Sequence, residues 1–193
     1  MSIEPSAIYN QSVDKQRIAI FGKNQERIFE MVSFVLNHNH KAFDYVADDQ
    51  SHFSPAPLLI WKAGEANAQT MNFHHHILVL SAVSPSHMEE IHWMEKLADI
   101  TPKGGQIFYD ATDSQAKRIG SKERTDVTST AFDQFKSETK GNETFLVSST
   151  NEKFSIAFSS PDDLKSASAA RELLKKIGIS SGQFYRSISA FKK

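Results

Sequence analysis

Residues Arg17 to Leu36, RIAIFGKNQERIFEMVSFVL, constrain the fold more than any other stretch of this chain. A short apolar run, Ile18-Ala19-Ile20-Phe21, meets Gly22, and apolar residues then recur at helical spacing at Ile28, Val32, Val35 and Leu36. The pattern predicts a buried strand, a turn at one glycine and a helix packed back on a sheet. Nucleotide-binding α/β proteins hold phosphates at such turns, because the first helical turn offers free N–H groups and positive dipole charge. Here the turn reads Lys23-Asn24-Gln25-Glu26-Arg27, and most residues suited to that chemistry are missing.

The same strand–helix alternation continues. Leu58–Trp61, Ile77–Leu80 and Ile107–Tyr109 are short apolar runs, and Phe43–Val46 reads as a short strand or its approach. Helical periodicity covers about Met88 to Ile100, and Ser114–Ile119 suggests a short helix. Strands alternating with helices predict an α/β fold, a mostly parallel sheet flanked by helices. Ser51–Pro57, with two prolines, reads as a loop. The character changes near residue 124. Arg124–Asn142 is polar, with one strand expected near Val127; Phe145–Val147 and Phe154–Phe158 read as an antiparallel hairpin, so a small antiparallel region is expected over 124–158. Ser160-Pro161-Asp162-Asp163 combines an N-cap serine, proline at the first helical position and acids in the first turn. That helix is expected to close at Gly178, with a last helix from Ser180-Ser181 through Phe184, Ile188 and Phe191.

Composition narrows the function classes. The net charge is −1, from 22 Lys and Arg against 23 Asp and Glu, with no basic patch to suggest nucleic acid or an anionic membrane. No cysteine is present, which excludes disulfides, thiolate metal sites and a cysteine nucleophile. The longest apolar run, Ile77–Leu80, is far below the roughly 20 residues that span a bilayer. The first fifteen residues lack a signal-peptide core, and the chain reads as soluble and cytoplasmic. His74-His75-His76 invites a metal reading, but successive residues on an extended chain point to alternate sides and no carboxylate is near in sequence. No metal site is expected there.

Several phrases, taken in order, resemble the central ATP-binding domain of the Mur ligases, nearest to the UDP-N-acetylmuramate–alanine and murein-peptide ligases. In that family an apolar strand enters a G-T-x-G-K-T-[ST] loop. Gly22 matches its first glycine, whereas the second glycine, the lysine and the threonines become Asn24-Gln25-Glu26-Arg27. That glycine admits backbone to the phosphate, the lysine neutralises it and the hydroxyl holds Mg²⁺. The family's E-x-D-E phrase survives here only as Glu65, and its N-I-x-x-D-H-x-D phrase only as His87, with Ser86 in the aspartate's place. The G-x-H-N-x-x-N-x-x-A-A phrase keeps its packing alanines, Ala169 and Ala170, and loses its polar residues. What survives serves packing; what is changed would serve ATP or metal.

The resemblance implies a polar segment over 1–16 and a single central-domain-like unit over 17–193, with neither a UDP-sugar domain nor a C-terminal amino-acid-binding domain. It implies a stand-alone, degenerate homologue, a non-catalytic binding or regulatory module linked to peptidoglycan synthesis, with no catalytic residue, no metal and no resident cofactor. Its partner would be a protein, of the cell-wall synthesis machinery, rather than nucleic acid or a membrane. The expected vestigial cleft comprises Gly22, Lys23, Asn24, Arg27, Glu65 and His87. One alternative is a residual ATP- or phosphate-binding protein using Lys23, Asn24 and Arg27. Another is a subunit of an ATP-dependent acid–amino acid ligase, needing a replacement cation and another chain's acceptor domains. If the chain is instead an unrelated doubly wound domain, ligands are still expected at the carboxyl ends of the strands, around Gly22, Gly64, Ser84 and Asp110.

Overall fold

The computed structural model of the protein describes residues 5–47, 50–62, 64, 66 and 68–192. They fall into two compact units. One holds residues up to Gln25 together with Ala42–Ala131, and the other Glu26–Lys41 with Phe132 onward.

The first unit opens with α1 (Pro5–Asn10) and β1 (Gln16–Phe21). The helix that follows the turn, α2 (Gln25–His38), begins at its edge. Next come β2 (Asp44–Ala47), β3 (Gln50–His52), β4 (Leu58–Lys62), a 3-10 segment (Ala68–Phe73) and β5 (Ile77–Leu80). Then follow α3 (Met88–Asp99), β6 (Gln106–Asp110), α4 (Ser114–Gly120) and β7 (Thr128–Phe132). These strands form a seven-stranded sheet in the order β3-β2-β4-β1-β5-β6-β7. Strands β2, β4, β1, β5 and β6 run parallel, and β3 is antiparallel to its neighbour β2. The central strand β1 pairs Ile18 with both Ile60 and Ile77, so it is covered on both edges and both faces and reads as an unbroken apolar run.

On one face Ala19, Phe21, Leu59, Trp61, Leu78 and Leu80 pack with Ile91, Met94 and Leu97 of α3 and with Ala116 and Ile119 of α4. Trp61 meets Phe73 edge-on, ring centres 4.7 Å apart. Ile8 of α1 joins this core with no exposed surface. Polar composition hides that helix in the sequence: one buried isoleucine between half-buried neighbours is too short a pattern to announce an element. Buried Arg17 holds it in place. Its guanidinium donates to the carbonyls of Ser12 (2.7 Å) and His74 (2.8 Å) and lies over the Tyr9 ring at 4.9 Å.

The second unit contains the rest of α2, β8 (Ser137–Lys140), β9 (Glu143–Val147), β10 (Lys153–Ile156), α5 (Pro161–Lys176) and α6 (Ser181–Ala190). The expected hairpin is β9–β10, with Phe154 opposite Leu146, and β8 adds a third antiparallel strand. Helix α5 starts as read from the sequence: the Ser160 hydroxyl accepts from Asp163 N–H, and Pro161 occupies the first turn. Helix α6 carries a capping box, Ser180 with Gln183. Phe34 of α2 packs on Phe191 at 5.2 Å, and Asn39 donates to Ser187.

Two local expectations are corrected. Ser51 and His52, placed in a loop, form the exposed edge strand β3. The polar stretch after Arg124 contains two strands, β7 and β8, whose exposed polar residues hide their period.

Candidate functional site

Gly22 follows β1 with φ of +105°, a conformation that disfavours any Cβ. Space forbids one as well: an added Cβ would lie 2.5 Å from Ser81 Oγ, 2.8 Å from Ser81 O and 2.9 Å from Ala82 O. The turn is thus pressed against the exit of β5. Ser81 N–H donates to Phe21 O at 2.9 Å, and its hydroxyl donates to the same oxygen at 3.0 Å.

The turn's own N–H groups are spent inside the protein. Lys23 N–H donates to Ala82 O (2.8 Å), Asn24 N–H to Ser81 Oγ (3.2 Å) and Gln25 N–H to Gly22 O (3.0 Å). A phosphate-binding turn aims such groups at the anion; these three aim at carbonyl and hydroxyl oxygens. The Gln25 amide reaches across to the turn after β4, donating to Gly64 O at 2.9 Å.

Around this turn lies a cleft of about 600 Å³ at the carboxyl ends of the parallel strands. Gly22, Lys23 and Gln25 line it after β1, Gly64 after β4, and Ala82, Val83 and Ser84 after β5. His87 and Glu90, at the start of α3, and Asp113, before α4, complete the lining. His87 Nδ1 faces Glu90 Oε2 at 3.2 Å, and the Ser84 and Ser86 hydroxyls are 2.8 Å apart. Asp113 caps α4, its Oδ1 accepting from the N–H groups of Gln115 and Ala116. Asp110, which ends β6, is turned inward, its Oδ1 accepting from Thr112 N–H and Oγ1.

The structure therefore gathers Gly22, Lys23 and His87 from the expected set around one cleft, together with Gly64 and Ser84. Asn24 and Arg27 are not among the lining residues. Arg27 belongs to the second unit, where its Nε donates to Asp163 at 2.6 Å, its Nη1 donates to Glu30 at 2.8 Å, and the guanidinium stacks over Phe191. Burial works against that charge, but the bonds to Glu30 and Asp163 outweigh it and hold its pKa above the usual value. Glu65 lies outside the described residues. Ser81, Gln25, Glu90 and Asp113 were not anticipated. The one available signal was a serine ending the apolar run of β5, where a polar side chain must find a partner at the strand exit.

The histidine triplet lies elsewhere in the first unit. His75 is fully buried, its Nε2 3.0 Å from Thr101 Oγ1; burial, then His76, His74 and Arg17, push its pKa down to about 3. His76 accepts from the Arg17 N–H at Nδ1, and burial followed by the Arg17 charge lowers its pKa. Among the described residues no group of three His, Asp or Glu is arranged to hold a metal ion, and no helix is long and apolar enough to cross a membrane.

No protein-family model and no curated protein matches the sequence. Solved structures do. The UDP-N-acetylmuramoylalanyl-D-glutamyl-2,6-diaminopimelate–D-alanyl-D-alanyl ligase of Acinetobacter baumannii superposes with a TM-score of 0.77 at 11% identity, over 96% of this chain and 48% of its own. The murein peptide ligase of Psychrobacter arcticus gives 0.72 at 12%, over 97% and 49%. The UDP-N-acetylmuramate–alanine ligase of Thermotoga maritima gives 0.69 at 13%, over 97% and 47%. This chain has the Mur ligase central-domain fold. It spans about half the length of those three ligases. On the Mur-ligase frame the cleft occupies the strand-end position that open α/β sheets use for ligands, while the turn after β1 has given its N–H groups to the protein itself.

Proposed function

We propose that this chain is a non-catalytic Mur-ligase-like binding or regulatory module whose ligand cleft lies at the carboxyl ends of β1, β4, β5 and β6, and that it serves peptidoglycan synthesis through a protein partner. One observation carries the reading: the N–H groups of Lys23, Asn24 and Gln25 all have partners within the protein. A triphosphate seated on this turn would have to break those bonds, and each buried carbonyl left unpaired costs roughly 1–3 kcal/mol. Among the described residues Lys23 is the one permanent cation lining the cleft, which Glu90 and Asp113 also line. Arg27, the other cation the sequence offers, is committed to Asp163 and Glu30. The link to peptidoglycan synthesis is supported by the fold and by the ligases that share it.

Titration calorimetry with ATP and Mg²⁺ tests the reading. No heat of binding is expected; micromolar affinity would overturn it. Co-purification of the tagged chain with cell-wall ligases tests the partner, and recovery without any of them speaks against that link.

A further inference from the structure

The donor and acceptor inventory of the cleft points to a ligand class. A ligand meets groups that still have capacity, and among the described lining residues the side chains of Glu90, Asp113 and His87 keep acceptor capacity. The backbone donors of the turn are consumed, as is the Ser81 hydroxyl, which donates to Phe21 O and accepts from Asn24 N–H. The Gln25 amide nitrogen is used by Gly64 O, and its Oε1 is buried with no partner. His87 presents Nδ1 to the Glu90 carboxylate, and the tautomer that donates there leaves Nε2 as an acceptor. Glu90, only 16% exposed, keeps lone pairs beyond the one His87 uses. Asp113 takes two N–H groups on Oδ1 and has its second oxygen in reserve. The first turn of α3 has no side-chain cap, but its own Glu89 and Glu90 oppose an anion there.

We propose that this cleft takes a small organic cation, anchored through an ammonium group by the Glu90 carboxylate and His87 Nε2. The proposal rests on the reading above that the cleft is a binding site. An ammonium group brings three donors and no acceptor, which matches what the lining has left to offer. A phosphate brings acceptors alone and meets the carboxylates of Glu90 and Asp113 beside Lys23. The volume of about 600 Å³ suits a free small molecule.

The test is an amide ¹H–¹⁵N titration of the intact chain, following Gly22, Gly64, Ser84 and His87, with three probes: cadaverine, the uncharged pentanediol, and pyrophosphate. Cadaverine is expected to shift these signals saturably and pentanediol to leave them in place. Glu90→Gln, an exchange at the cleft rim that keeps shape, is expected to weaken cadaverine binding roughly tenfold, the usual worth of one charge-assisted bond. His87→Gln should weaken it less and serves as the second variant. Equal shifts with pentanediol, or an unaltered response in both variants, overturn the proposal. Silence toward all three probes overturns it while leaving the absence of phosphate binding intact. Shifts with pyrophosphate overturn both this proposal and the non-catalytic reading beneath it.

Discussion

The Ser81 hydroxyl occupies the space that a side chain at position 22 would need: an added Cβ on Gly22 falls 2.5 Å from Ser81 Oγ. The same hydroxyl joins the end of β1 to the turn, donating to Phe21 O and accepting from Asn24 N–H. The turn and the exit of β5 are thereby one hydrogen-bonded piece. Gly22→Ala is expected to destabilise the protein by roughly 2–4 kcal/mol, adding left-handed strain to the clash. Gly22→Ala with Ser81→Ala should recover little, because the Ser81 and Ala82 carbonyls remain within 2.9 Å of the new Cβ. Urea denaturation of both variants measures this; full recovery in the double variant would show that the hydroxyl alone sets the constraint.

A second prediction concerns the base of the same unit. Lys15 and Asp44 form a buried ion pair at 3.0 Å, their side chains 6% and 0% exposed. Lys15 also donates to the carbonyls of Ser54 and Ala56, and Ser54 donates to Asp44. Lys15→Met leaves a buried carboxylate without its cation and is expected to cost roughly 3–5 kcal/mol. Burial favours the neutral form of Asp44, but the bonds from Ser54 and Lys15 outweigh it and hold the carboxyl below its ordinary value. The pair's contribution is therefore present above the ordinary carboxylate range and disappears as pH falls through the depressed folded value. Stability curves of the wild type and Lys15→Met should converge toward strongly acid pH; parallel curves would refute the linkage.

Acid should weaken the fold earlier through the histidines. His75 titrates near 6.5 when unfolded and at about 3 when folded, because burial and the neighbouring His76, His74 and Arg17 oppose its charge. A depressed histidine binds its proton more readily in the unfolded chain, so its effect is absent above about 6.5 and stability is lost as pH falls from there toward 3. His76, lowered by burial and Arg17, acts in the same direction. His75→Gln, which keeps a polar atom for Thr101, should flatten much of the slope between neutral and mildly acid pH. Denaturation midpoints at pH 7 and pH 4.5 provide the comparison, and an unchanged slope would remove His75 as its source.

In the second unit, Arg27 links α2 to the first turn of α5 through Asp163. Arg27→Ala is expected to cost roughly 1.5–3 kcal/mol, the worth of a hydrogen bond between charged groups. Arg27→Lys should recover only part, since an ammonium lacks the fork that serves Asp163 and Glu30 together. Neither variant should change the heat observed on adding ATP. ATP binding seen in the wild type and abolished in Arg27→Ala would instead place Arg27 in a phosphate site.

Short-range patterns were legible before any coordinates. The buried parallel strands were visible as apolar runs because both of their faces are covered, and the start of α5 was visible in Ser160-Pro161-Asp162-Asp163 because capping chemistry lies within four residues. Helix α1 and the strands β3 and β8 were not, since they carry little hydrophobic period, and β7 showed only as one strand expected near Val127. The sequence by itself determined the strand–turn–helix order and the glycine at the turn. Tertiary structure alone decided where the Lys23 and Asn24 N–H groups go, because their partners, Ala82 and Ser81, follow β5, more than fifty residues away. It also decided that Arg27 meets Asp163, 136 residues on, and that Glu90 and Asp113 face the cleft. Hydrogen bonds depend on distance in space, and only the folded sheet brings those atoms within 3 Å or so of one another.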